Sequence, residues 1–448
     1  MNHASHPVLQ NGIAALQETF FASTSLTAAQ WRRQAGHRSL SNRTFKKNTL
    51  CAGSRTEHTT MRLITSLLAA AALVPALASA DPVKVGIAND ISGPFAALGA
   101  EARDGFNLAI KQLGGKLGGQ PAEFVQTDMG GNPDQARQLV TRYIQRDKVD
   151  FFTGPIGSNV ALAVGPALFA AKVPYLSNNP GPSQFAGAQC NTYWFGTSYQ
   201  NDAFHEAAGK VAADRGFKKM FIMAPDYPAG KDALTGFKRG YKTAPGDEVY
   251  TKLGQIDYAA EIAQIRAAKP DAVYIFLPGG MGINFVKQFV SAGLSQSVKL
   301  IGPGFSADED VIQAVGEPML GMYNTAQWAH DLDVPQNKAF VEAFRKEYNG
   351  RYPSVYAAQA YDVIMAMDAA VKQAGGKASD RAAIVKALEK ADYPSVRGSF
   401  TYGKNHYPIQ AYYQRVVDKD ASGRITNKLV GKVFDKYQDV YVGDCKNM

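Results

Sequence analysis

Cysteine and histidine are scarce in this chain, at three and seven of 448 residues. Beyond residue 80 the histidines are His205, His330 and His406, each isolated in sequence, so a histidine-rich metal centre has no material. No apolar run reaches the roughly 20 residues that a spanning helix needs, so the chain is expected not to be itself membrane-spanning. No Gly/Ser-rich linker or low-complexity segment interrupts residues 81–448, which excludes loosely tethered domains. A block of basic charge is also missing. The net charge is +9, but the first 80 residues carry eight of the 48 Lys/Arg and two of the 39 Asp/Glu, which leaves the remainder at +3. Nucleic-acid binding therefore lacks its electrostatic footing, and no nucleic acid is expected as a partner.

Enzyme signatures stop short of completion. His205-Glu206 opens a metalloprotease helix, yet Gly209 stands where the second histidine is required. Gly304-Phe305-Ser306-Ala307-Asp308 begins a nucleophile elbow without its final glycine. Gly375-Gly376-Lys377 is followed by Ala378 rather than the Ser/Thr of a phosphate loop. No G-x-G-x-x-G separates the first strand from the first helix. Glu309-Asp310 reads as a solvated loop. No catalytic residue, no cofactor and no metal is assigned.

What is present is an export signal. Met61-Arg62, an apolar run from Leu63 to Leu77 and Ala78-Ser79-Ala80 form the basic, hydrophobic and A-x-A parts of a signal peptide over 61–80. Cleavage is expected after Ala80, with Asp81 as the new N-terminus and no lipid anchor. Residues 1–60 read as an upstream extension from a mis-assigned start, with a targeting extension as the alternative. The mature chain is expected in the periplasm. In that oxidising compartment Cys190 and Cys445 either form a disulfide that ties the C-terminus to the body or remain as two thiols.

The mature chain is long enough for two domains. Strand-like runs alternate with amphipathic helices: Val83–Ala88, Glu101–Leu113, Ala122–Thr127, then a helix capped by Asn132-Pro133-Asp134. The alternation restarts after residue 200 and continues to Lys299–Gly302. A mainly helical part follows from Ala339, and β-rich segments Ile409–Val417 and Lys428–Val433 come last. Repeated βαβ units predict an α/β fold with two doubly wound lobes.

Small and polar residues gather where the strands end, the edge at which open parallel sheets bind ligands. These loops are Ser92-Gly93-Pro94-Phe95, Gly154 to Asn159, Ser177 to Gly181, Pro278-Gly279-Gly280 and Gly302 to Phe305. Ser158 and Asn159 offer donors at a helix start, where an anion is favoured. Asn178 and Asn179 join them, and Phe95, Tyr199, Tyr227, Phe305 and Tyr356 supply apolar walls.

Val83-Lys84-Val85-Gly86, Ser92-Gly93-Pro94, Gly99, Asp128, Asn132-Pro133 and Gly154-Pro155 with Ser158, in this order, resemble the type I periplasmic binding proteins of the branched-chain amino acid (leucine/isoleucine/valine) ABC transporter family. The resemblance implies two Rossmann-like lobes joined by three crossovers near 200, 326 and 413. Lobe one would be 83–200 plus 326–413, and lobe two 201–325 plus 414–448. It implies ABC permease and ATPase subunits as partners. Ser158 falls at the family's carboxylate-binding serine and Tyr356 at an aromatic wall. The loop that offers a threonine reads Asn179-Pro180-Gly181, and the tyrosine and glutamate that hold an α-ammonium are replaced by Gly279 or Gly280 and by Gly304. The implied ligand is a small organic carboxylate, an amino acid or, preferred slightly, an aromatic or other organic acid. Asp226 or Asp308 stays open as a substitute ammonium partner. A ligand-sensing subunit for a signalling receptor and a secreted hydrolase remain the alternative readings.

Overall fold

The computed structural model describes residues 81–446 and 448. The extension of residues 1–60, the signal peptide of 61–80 and Cys51 lie outside the described residues.

The first sheet is built from β1 (Val83–Asn89), β2 (Lys116–Leu117), β3 (Gln120–Asp128), β4 (Phe151–Thr153), β5 (Tyr175–Leu176) and β6 (Trp194–Phe195). Its order is β2-β3-β1-β4-β5-β6, parallel from β3 to β6 with β2 antiparallel at the edge. The second sheet contains β7 (Met220–Pro225), β8 (Asp247–Thr251), β9 (Ala272–Ile275), β10 (Lys299–Pro303), β11 (Tyr323–Ala326), β12 (Thr401–Tyr402), β13 (Pro408–Lys419) and β14 (Ile425–Tyr437). It runs β12-β13-β11-β10-β9-β7-β8, with β14 antiparallel to β13. Strand β7 is buried along its whole length, as a continuous apolar run between two helical layers must be.

Around the first sheet lie α1 (Ala96–Gln112), α2 (Pro133–Arg142), α3 (Ser158–Ala170) and α4 (Ser183–Ala186). With the second sheet's strands alternate α5 (Asn201–Asp214), α6 (Pro228–Tyr241), α7 (Ala259–Ala268), α8 (Gly280–Ser291) and α9 (Glu309–Val315). The later helices are α10 (Pro335–Glu347), α11 (Val355–Gln373) and α12 (Arg381–Leu388). The Asn132 side chain caps α2 by accepting from the Asp134 and Gln135 amides at 2.9 and 3.2 Å, with Pro133 at the first turn.

The chain passes between sheets after β6, leaves the second sheet after β11, and returns along β13. In between, α10 to α12 lie beside the first sheet. Lys111 of α1 pairs with Glu347, the Gly118 amide donates to Asp368 at 2.7 Å, and Arg381 donates to the Asp150 carbonyl at 2.6 Å. The expected crossover positions fall at the start of α5, at the last residue of β11 and inside β13. Arg397 ties two of these connections together. Its guanidinium donates to the Thr197 and Ser198 carbonyls at 2.7 and 2.9 Å, to Gln410 Oε1 at 2.6 Å and to Asp362 at 3.1 Å. Cys190, in the loop between α4 and β6, is bonded to Cys445 beyond β14, with 5.5 Å between their Cα atoms.

Candidate functional site

Five loops leave the strand ends and meet the starts of α3, α5, α6 and α11 around one narrow cavity. Of the residues singled out in the sequence, Phe95, Ser158, Asn179, Tyr199, Tyr227, Phe305 and Tyr356 line it. The lining further includes Leu98, Ile156, Asn201, Phe204, His205, Ala229, Phe276 and Pro278.

Four singled-out residues do not line it. Asn159 follows Ser158 on α3 but turns its side chain away, with its buried Oδ1 lacking a partner. Asn178 is fully buried beside the cavity wall, its amide atoms unpaired and its carbonyl accepting from the Ser198 hydroxyl at 2.6 Å. Gly279 packs against Leu98, where an added Cβ would come within 3.2 Å of Leu98 Cδ2, and Gly280 faces open space. That loop reaches the cavity through Pro278 instead. A glycine has no side chain to project, so the loop gives shape rather than a polar contact.

The aromatic wall comes from both sheets' loops. Phe95 sits 6.2 Å from Tyr227, Tyr227 stacks 6.3 Å from Phe276, and Phe305 lies 5.5 Å from Tyr199 and 5.2 Å from Tyr356. Burial pushes the phenols of Tyr199 and Tyr356 well above their ordinary range, so both stay neutral donors.

One polar network converges at the start of α3. The Asn201 amide donates to Ser158 Oγ at 3.2 Å and to Asp232 Oδ2 at 2.9 Å, while its own oxygen accepts from the Gly181 amide at 2.8 Å. Because Ser158 Oγ accepts from Asn201, the serine keeps its hydroxyl hydrogen for another acceptor. Gly157 caps α3 without a side-chain acceptor, so the first amides of the helix have no partner within it. Asp90 holds this loop by accepting from the Ile156 amide at 2.7 Å and the Gly131 amide at 2.7 Å. Asn179 accepts from the Tyr199 hydroxyl at 2.8 Å and donates to the Ile156 carbonyl at 2.8 Å, which fixes both walls.

Asp232 also accepts from Ser183 through its amide at 3.1 Å and its hydroxyl at 2.7 Å. Ser183 belongs to α4 on the first sheet's side and Asp232 to α6 on the second's, so this link joins the two halves behind Asn201. Burial, reinforced by the charge of Asp202, raises the Asp232 carboxyl to about 6.

No carboxylate or cationic side chain is among the cavity's lining residues. Asp226 is exposed and paired with Lys231 at 3.3 Å. Asp308 is turned away from the cavity. It accepts from the Val355 amide and lies 3.7 Å from Arg415, so it anchors the start of α11, which carries Tyr356. Gly304 stands against Arg415, where a Cβ would meet Nη2 at 2.7 Å. Neither acid is therefore placed to hold an ammonium. His205 is bonded through Nδ1 to the Tyr274 hydroxyl, and burial keeps its ring neutral. Ser158 and His205 are thus engaged by different partners, not by each other. Among the described residues no group of metal-ligating side chains is assembled, and no helix is long and apolar enough to cross a membrane.

Sequence reasoning missed Asn201 and His205 because both sit on a helix whose small residues read as core. Their spacing of four, which puts them on one face, was the available signal.

Residues 82–422 match the sequence model of a family described as periplasmic binding protein. A curated relative, Leu/Ile/Val-binding protein homolog 6 of Brucella melitensis biotype 1, is 30% identical over 389 residues, covering 84% of this chain and 98% of the relative. A solute-binding protein of an ABC transporter from R. palustris, solved in complex with benzoate, superposes with a TM-score of 0.76 at 31% identity, covering 82% of this chain and 99% of the other. A second, from Rhodopseudomonas palustris BisB5 and solved with 3,4-dihydroxy benzoic acid, gives 0.75 at 32% identity, covering 80% and 99%.

Proposed function

The chain belongs to the periplasmic binding protein family, and from that premise we propose that it is the extracytoplasmic solute-binding subunit of an ABC importer that closes on an aromatic carboxylate. The observation that carries this reading is the composition of the cavity wall: aromatic rings and neutral polar groups, with no acid to receive an ammonium. The Ser158 hydroxyl and the free amides at the start of α3 form the carboxylate end. Phe95, Tyr227, Phe276 and Phe305 form the slot for the ring.

The two related proteins solved with benzoate and 3,4-dihydroxy benzoic acid support the ligand class. Permease and ATPase subunits follow as separate partners, since this chain supplies the captured solute and not the passage. Delivery outside the cytoplasm fits the signal peptide read at 61–80.

Isothermal titration of residues 81–448 tests the proposal. Benzoate is expected to bind and leucine to show no heat. Tight binding of leucine with no response to benzoate overturns the aromatic-acid reading and restores an amino-acid carrier.

A further inference from the structure

Behind the cavity wall, one acidic cluster is buried where the two halves meet. Asp308, Glu309 and Asp310 open α9 on the second sheet's side. Glu101 belongs to α1, which lies with α11 on the first sheet's side; Gly105 lets those two helices touch, since an added Cβ would meet the Ala357 carbonyl at 2.1 Å. Glu309-Asp310 is not the solvated loop its sequence suggests: Glu309 is buried, and both carboxyl oxygens of Asp310 are shielded from solvent.

The contact between the halves is direct. Asp308 Oδ2 accepts from the Val355 amide at 2.5 Å, so an acid of one half holds the first turn of a helix of the other. The facing oxygens lack donors. Asp308 Oδ1, both oxygens of Asp310 and Glu101 Oε2 are buried and have no hydrogen-bond partner among the described residues. The cations around them are committed elsewhere. Arg351 pairs with Glu101 and Asp104 on the first side. Arg424 lies 2.9 Å from Glu309, whose other oxygen accepts from the Thr426 hydroxyl at 2.7 Å, with His330 3.8 Å away. Arg415 stands 3.7 Å from Asp308. Beside α9, Lys287 of α8 is exposed and Glu317 pairs outward with Lys419 at 2.8 Å.

A carboxylate buried without a cation or a donor is strongly disfavoured, and the group takes up a proton instead. Burial raises the Asp310 carboxyl to about 8, reinforced by the charges of Asp308 and Glu101. Burial also raises Asp308 to about 7 against the pull of Arg415, and raises Glu101 against that of Arg351. The charges of Asp308 and Asp310 act in turn on Tyr356, a cavity residue.

We infer that solute capture by this protein is proton-coupled: as the halves close, a carboxylate oxygen of the Asp308–Asp310 pair takes a proton from the solvent, and the neutralised cluster fastens the start of α11 to the second half. With the halves apart these oxygens meet water, and the carboxyls return toward their ordinary 3.8. Groups raised on closure favour the closed form at low pH, and that contribution is lost as pH rises from about 4 to about 8. Asp310 is a positioning residue, since it does not line the cavity.

The test uses residues 81–448 and benzoate, whose own charge is constant above pH 6, so it takes its probe from the aromatic-carboxylate reading above. Asp232, raised to about 6, titrates below the range used. One linked proton changes affinity by up to about tenfold per pH unit, so the wild type is expected to bind benzoate about tenfold or more weakly at pH 8.5 than at 6.5. Calorimetry at pH 7.5 in phosphate and in Tris, whose protonation heats differ, should count roughly half a proton or more taken up per benzoate bound. Asp310→Asn keeps the shape without the charge. It should hold affinity constant within about threefold across the range and bind more tightly than wild type at pH 8.5. The proton count needs no variant and decides the matter if Asp310→Asn does not fold. An unchanged wild-type affinity with no proton taken up, or a pH dependence that survives in Asp310→Asn, overturns the coupling and leaves the aromatic-carboxylate reading standing. If benzoate binds at neither pH, that reading falls and small-angle scattering of the ligand-free protein decides the coupling. A radius of gyration larger at pH 8.5 than at 6.5 in wild type and constant in Asp310→Asn supports it, and equal radii in wild type overturn it.

Discussion

Ser158→Ala removes a single oxygen from the proposed carboxylate end. Ser158 is 1% exposed, and in the free protein its Oγ accepts one rather long hydrogen bond, from Asn201 at 3.2 Å. Losing a neutral bond of that kind costs about 1 kcal/mol, a shift in melting temperature of about 1–2 °C for a chain of this size. Asn201 keeps its bond to Asp232 at 2.9 Å, so the network does not collapse. The bound state loses more. A hydrogen bond to a charged acceptor contributes about 1.5–3 kcal/mol, so the affinity for benzoate should fall about 10- to 150-fold.

Calorimetry on both proteins with benzoate and with benzamide separates the two effects. Benzamide has nearly the same shape and no charge, so its loss should be several-fold smaller, and the difference between the ligands measures the charged contact alone. A benzoate affinity changed by less than about threefold, or an equal loss for benzamide, refutes the assignment of Ser158 as the carboxylate donor.

Three further outcomes are expected. Asp232 has its carboxyl raised from 3.8 to about 6, so its ionisation weakens the folded state as pH rises through that window, by at most about 3 kcal/mol above pH 6. Asp202 and the neutral phenols of Tyr227, Tyr407 and Tyr441 face it, and Asp232→Asn should lose less melting temperature than wild type between pH 5 and 7.5; identical slopes in calorimetry refute this. Gly209→Ala should destabilise by about 1–3 kcal/mol in denaturant titration, because the new Cβ would meet the Phe237 carbonyl at 2.1 Å where α5 crosses α6; an unchanged midpoint would show that the helices separate freely. Cys190→Ala with Cys445→Ala opens a loop of 255 residues and should cost about 2–5 kcal/mol, measured by urea unfolding of the oxidised wild type against the variant.

Much of the architecture was legible because burial on two faces writes itself as apolar runs. The runs Met220–Ala224 and Ala272–Leu277 read as strands and fall on β7 (Met220–Pro225) and β9 (Ala272–Ile275), and Asn132-Pro133 announces its helix through capping chemistry. Short strands such as Trp194–Phe195 and Thr401–Tyr402 carry no period and emerge only from pairing with neighbours. At the cavity, loop residues with Gly, Pro and aromatics were conspicuous, and seven of them meet there. Gly279 and Gly280 were conspicuous for the same reason, but a turn residue marks where a chain bends and not what it touches. Asn201 and His205 were hidden by their helix.

Gly209 shows both sides of this. As a gap in a metalloprotease motif it only excluded chemistry. In three dimensions it lets two helix backbones touch, an interaction that no single-chain pattern displays.

The bridge between Cys190 and Cys445 joins a loop of the first sheet to the tail that follows the second. A capture protein must spend part of its time open, and the breadth of that open ensemble sets an entropy that ligand binding has to remove. A covalent strap between the halves trims the widest of these conformations in advance. The oxidised molecule should then hold its solute more tightly than the reduced one without a single altered contact in the cavity, so the redox state of the surroundings becomes a silent contributor to affinity.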